Sequence, residues 1–178
     1  MRKTVQFAAA ALLLIAAPVL ANADGRLSPA ALPDFVLGYE TNDGALEFAE
    51  WVPKGETVLA WTRMVTTMRF ESLRVTPQQF NQMMKDRLIK SCPGTTISDE
   101  IVTEIDGRPA ARFRGDCPRN PATGKPEVLF HLAIAGSNDL HIRQVAFRYQ
   151  PGPDDVRWAD GVIGSTRWCA VGSKQKGC

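Results

Sequence analysis

Apolar residues recur along this chain with two different periods, and the periods divide it into elements. From Thr76 to Cys92, TPQQFNQMMKDRLIKSC, Phe80, Met83, Met84 and Leu88 fall on one stripe at helical spacing, with Ser91 and Cys92 continuing it. Thr76 can cap this helix, Pro77 suits its first position, and Gln79 completes a T-x-x-Q capping box. Pro93 and Gly94 stop it.

Elsewhere the period is two. Phe35 to Glu40 and Ala45 to Val52 read as strands around the turn Asn42-Asp43-Gly44. Thr62 to Phe70 reads as a third strand, after a possible helical turn near Val58–Trp61. Past Gly94, Ile97, Ile101 and Ile105 share one face, and Ala111, Phe113 and Cys117 share another. A three-residue loop, Ile105-Asp106-Gly107, pairs odd positions with odd and sets Ile101 opposite Ala111 and Glu100 against Arg112. Val128 to Ala135 and Leu140 to Tyr149 form a further hairpin around Gly136-Ser137-Asn138-Asp139. A last helix starts at Asp154 or Asp155 and turns Val156, Ala159 and Ile163 inward. Gly161 and Gly164 weaken it by about 1 kcal/mol each relative to Ala.

The predicted order is hairpin, strand, helix, four strands, helix. It gives an α+β domain: an antiparallel sheet of about six to seven strands with two helices packed on it. This order resembles the PsbP-like fold, an α+β module of photosystem extrinsic subunits and other exported proteins. The resemblance covers most of residues 24–178 as an order of elements. It implies a non-catalytic accessory role and carries no functional residue across.

The first residues stand apart. Arg2 and Lys3 precede an Ala/Leu-rich run broken by Pro18, and Ala21-Asn22-Ala23 is a small-x-small cleavage site. The run is short of the roughly 20 residues a spanning helix needs. Residues 1–23 are therefore expected to be a signal peptide, cleaved between Ala23 and Asp24, with 24–178 as one domain. Within it, 24–32 is expected to be a loose arm and 170–178 a tail. The whole chain carries 21 Lys+Arg and 19 Asp+Glu, and two of the bases lie in the leader. The mature chain is thus balanced in charge, which gives no footprint for nucleic acid or an anionic membrane surface. A periplasmic or secreted monomer without a membrane span is expected.

Four cysteines in an exported chain read as disulfides, and none lies in a C-x-x-C. Cys92 ends the apolar stripe of the first helix, and Cys117 has the parity of the strand face that this helix covers. Cys169 is the nearest partner for Cys178, on a tail containing Gly172 and Gly177. The expected bridges are Cys92–Cys117 and Cys169–Cys178, with Cys178 left free or joined to another chain as the alternative.

Candidate chemistry is sparse. The parity of the last hairpin sets His131 with Ile142 and Gln144, and His141 with Phe130, Leu132 and Ile134, on opposite sides of the sheet. The two imidazoles cannot share a metal or a proton. No G-x-S-x-G, Walker loop, dinucleotide fingerprint, H-E-x-x-H or EF-hand loop occurs. A Cys117–His131 pair would fail as a nucleophile once the cysteine is oxidised. Asp99, Glu100, Glu104 and Asp106 could attract calcium, but Arg108, Arg112 and Arg114 can answer them as a solvated edge. Met64, Met68, Met83 and Met84 suit core packing between helix and third strand, or an adaptable binding face. Trp51, Trp61, Trp158 and Trp168 are many for this size, and some could rim a groove. No catalytic, cofactor or metal residue emerges. The favoured reading is an exported non-catalytic module that binds a protein or an envelope component. The alternatives are a small ligand carrier with a Met- and Trp-lined pocket, and a small hydrolase whose site lacks a known motif.

Overall fold

The computed structural model describes residues 25–178. The leader and its Ala23–Asp24 bond lie outside the described residues. The elements run β1 (Gly25–Leu27), β2 (Phe35–Asn42), β3 (Leu46–Pro53), β4 (Arg63–Phe70), α1 (Pro77–Ser91), β5 (Thr96–Ile97), β6 (Ile101–Ile105), β7 (Arg108–Cys117), β8 (Glu127–Ala135), β9 (Leu140–Phe147), α2 (Pro153–Gly164) and β10 (Trp168–Ala170). Eight strands make one sheet in the order β2-β3-β4-β9-β8-β7-β5, with β6 also on β7, and every pairing is antiparallel. The class is the α+β sheet with two helices that the periodicity predicts, in a larger sheet. The stretch from Ile97 to Ile105 explains part of the difference. It breaks into β5 and β6, which meet β7 at Gly115 and Arg112, with Ser98 still bonded to Arg114 between them.

The helices lie on opposite faces. On α1 the capping box forms, with Gln79 N–H donating to Thr76 Oγ1 at 3.1 Å and Thr76 N–H to Gln79 Oε1 at 2.9 Å. Phe80 and Met84 pack with Ala133, Leu140 and Ile142. Met83, placed on the inner stripe by spacing, is exposed, and Asn81 is buried instead. The larger core lies under α2, where Ala159, Val162 and Ile163 meet Val128, Phe130, Leu132 and Ile134 of β8. Alternation along β8 therefore feeds both layers. The last helix begins earlier than its acidic residues suggest. Gly152 is the cap, Pro153 takes the first turn, and Gly152 N–H donates to Asp155 Oδ2.

Two expectations about connections are corrected. The β6–β7 loop has two residues, not three, so Ile101 faces Arg112 and Ile105 faces Arg108. Asp106 and Gly107 both adopt positive φ, 49° and 77°, the mirror-image turn whose twist matches the flanking strands. The cross-strand pair of Glu100 with Arg112 does not form, and Glu100 turns to Lys85 at 3.3 Å and Asn81 at 2.8 Å. The N-terminal arm is not loose either. Its residues Gly25–Leu27 pair with Trp168–Ala170 in a second, two-stranded sheet. A side chain at Gly25 would sit 2.6 Å from the Cys169 carbonyl and 2.7 Å from the Trp168 ring, so only glycine permits that approach. Sulfurs of Cys92 and Cys117, and of Cys169 and Cys178, stand at bonding distance, 1.94 and 1.99 Å. The first pair ties α1 to β7, and the second folds the tail back onto β10.

Candidate functional site

α2 covers β8 and β9 but not the other half of its face. Over β2, β3 and the part of β4 beyond Val65, α2 leaves that face uncovered, and side chains line up across the strands in three rows. Register sets Leu37, Trp51 and Val65 in one row, Glu40, Ala49, Thr67 and Arg143 in the next, and Asn42, Glu47, Arg69 and His141 in the third. The middle row is low because Ala49 and Thr67 are small. It forms the floor of a trench of about 910 Å³ that runs across the strands. Leu37 and Trp51 make an apolar wall, closed at its end by Phe35, which stacks on Trp158 of α2 at 5.4 Å with the Arg63 guanidinium over both rings. The arm residues Leu27, Pro29, Ala30 and Leu32 form a roof.

The third row makes a polar wall that is neutralised internally. Arg69 bonds Asp139 at 2.6 Å, Glu71 at 2.8 Å and Glu47 at 3.0 Å. Asp139 also lies 3.1 Å from His141 Nε2. Burial lowers the His141 pKa despite that carboxylate, and the ring meets Trp168 edge-on at 4.8 Å.

Arg143 closes the inner end, and its situation is different. It is 2% exposed. Its Nη2 donates to the Ser28 carbonyl at 2.5 Å and its Nη1 to Thr166 Oγ1 at 3.1 Å, while Nε has no partner. Among the described residues no carboxylate stands at ion-pair distance from it, and burial alone pulls its pKa down to about 10. The same bonds hold the arm in place, since Ser28 also exchanges backbone and side-chain hydrogen bonds with Arg167. A buried cation without a counter-charge is costly unless something else compensates it.

His131 lies on the other face, as its parity predicts. It is buried between Phe80 and Phe113, with Nδ1 2.9 Å from Gln144 Nε2 and Nε2 unpartnered. Desolvation, with a smaller contribution from Lys85, pulls its pKa down to about 3. Cys117 is in a disulfide and offers it no thiol. The acidic residues of the β5–β7 region disperse. Asp106 accepts from the Trp168 backbone N–H at 2.8 Å, Glu100 pairs with Lys85, and no group of three metal-holding side chains gathers among the described residues. Met68 and Met84 pack beside Phe80, while Met64 joins Val52 and Trp61 under the Val58 loop. Of the tryptophans, Trp61 and Trp168 are buried and Trp51 lines the trench. No sequence motif marks Arg143. The signal was there: a lone Arg with the inward parity of Val145 and Phe147 in a strand otherwise suited to a core.

No protein-family model matches this chain, and no curated protein does. Among solved structures it is similar to the Ran-binding protein Mog1p of Saccharomyces cerevisiae, with 11% identity over 78% of this chain and 84% of that one and a TM-score of 0.48. It is also similar to a Pseudomonas aeruginosa protein of unknown function, at 12% identity over 73% and 91% with a TM-score of 0.47. A third is LpqN of Mycobacterium tuberculosis, involved in cell envelope biogenesis, at 12% identity over 83% and 85% with a TM-score of 0.44.

Proposed function

We propose that the protein is an exported, non-catalytic binding module that takes a protein or envelope component into the trench between the arm and the open half of the sheet. The observation that carries this reading is the trench itself: a walled surface, roofed by the arm, on a part of the α2 face that α2 does not cover. Its acid–base groups support binding more than turnover. Asp139 is shared between Arg69 and His141, and all four cysteines are oxidised. Export rests on the leader pattern and on two disulfides, which persist in oxidising compartments. No helix among the described residues is long and apolar enough to cross a membrane.

Two measurements test the reading. Intact mass of the exported protein should correspond to a chain starting at Asp24, and a retained leader would refute the processing. A photo-crosslinking amino acid in place of Leu37, at the mouth of the trench, should capture an envelope component in the producing cell. Ala49→Trp, which raises the trench floor, should abolish the adduct. An adduct indifferent to Ala49→Trp would place binding elsewhere.

A further inference from the structure

We infer that the trench binds an amphiphilic monocarboxylate, with its apolar tail along the Trp51 wall and its carboxylate against the free edge of Arg143. This rests on the trench being the binding surface, and it chooses among occupants by chemistry. Arg143 uses two of its five donors on Ser28 and Thr166. Nε is left without a protein partner, and the buried Arg143 side chain closes the inner end of the trench. A planar carboxylate fits the side of a guanidinium through two parallel N–H···O bonds. It would supply the counter-charge that the protein does not.

The rest of the trench fits a tail rather than a second charge. The middle row spans four strands, from β2 to β9, so three strand spacings of about 4.8 Å make it roughly 14 Å long. Its floor is Ala49 and Thr67, and Leu37, Trp51, Phe35, Leu32 and Ala30 enclose it. Of the other guanidiniums that line the trench, Arg69 already holds three carboxylates and Arg26 is solvent-exposed on the arm. Glu40 at the exposed outer end of the floor repels an anion there, which orients the ligand with its carboxylate inward. A peptide or protein segment would bring polar backbone groups against the Trp51 wall and leave them unpaired there.

The probe is decanoate, titrated below its micellar range into the disulfide-intact mature protein by calorimetry. One molecule should bind per chain. Losing the charge-assisted bonds should weaken 1-decanol roughly ten- to hundred-fold relative to decanoate. Decyltrimethylammonium should bind no better than decanol. Ala49→Trp should abolish decanoate binding. Arg143→Gln, where its circular dichroism matches the parent, should erase the preference for decanoate over decanol. If Arg143→Gln does not fold, the decanoate/decanol ratio and Ala49→Trp still decide. Equal affinity for decanol and decanoate, no decanoate binding, or unaltered binding by Ala49→Trp would each overturn the inference. If decanoate fails while the Leu37 adduct still depends on an open trench, the carboxylate assignment falls and the binding-module reading stands. If both fail, both fall.

Discussion

His131 is a neutral imidazole in a place where a charged one would have almost no solvation. Phe80 and Phe113 flank the ring, and Gln144 Nε2 lies 2.9 Å from its Nδ1. Its pKa falls from 6.5 to about 3. The unfolded chain therefore binds more protons than the folded one below neutrality, and stability must fall with pH. The contribution is complete above about pH 6.5 and declines toward pH 3. Between pH 7 and pH 5 this residue should cost the fold about 2 kcal/mol. Urea unfolding at the two pH values reads it directly. His131→Gln should flatten the dependence without removing it, because burial lowers the His141 pKa in the same direction. A midpoint that does not move between pH 7 and pH 5 would contradict the burial of His131.

At the level of elements, two local devices set geometry that the core then uses. The β6–β7 turn places both Asp106 and Gly107 at positive φ. That conformation costs an L-residue with Cβ roughly 1–2 kcal/mol, so Gly107→Ala should lower stability by about that amount in urea or thermal unfolding. The open space around a Cβ there means that steric clash would add nothing. On α1, Thr76→Ala removes the hydroxyl that satisfies Gln79 N–H and should cost about 1 kcal/mol. Phe80→Ala should cost more, about 3–5 kcal/mol, since that ring joins Phe70, His131 and the Ala133–Ile142 cluster across the sheet. If the cap proved the costlier loss, α1 would owe its place to its own termini rather than to the sheet.

For the whole molecule, the two disulfides tie α1 to β7 and the C-terminal tail to β10. Cys92–Cys117 closes a loop of sequence separation 25 and Cys169–Cys178 one of 9. In the chain-entropy model they restrict the unfolded state by about 3.5 and 2.6 kcal/mol. Replacing Cys92 and Cys117 by Ser should therefore destabilise the protein more than replacing Cys169 and Cys178, as read from unfolding midpoints. The second double replacement has a further consequence. It should loosen β10, and with it the arm that β10 pairs, so decanoate affinity should drop under conditions where the variant is still folded.

The chain's own patterns determined much of this. Period-3.6 and period-2 runs are local, so α1 with its cap, the longer strands and the opposed faces of His131 and His141 were legible before any packing was known. Cys92–Cys117 followed from the same face logic, and Cys169–Cys178 from nearness along the tail. What the patterns could not determine were contacts between segments far apart in sequence. Gly25–Leu27 becomes a strand only because Trp168–Ala170 lies beside it, and nothing in three residues without alternation announces a partner more than a hundred residues away. The β6–β7 loop was misjudged because apolar alternation favoured facing Ile101 with Ala111. The turn won because a mirror-image Asp-Gly loop matches strand twist, and β6 bears the consequence by leaving Ile101 and Val102 exposed. The trench is tertiary throughout. Ala49, Thr67 and Arg143 lie on three strands and share a floor only through sheet register. Burial alone turns Arg143 from one basic residue among many into a cation without a counter-charge, because solvation depends on what surrounds a group and not on its neighbours in sequence.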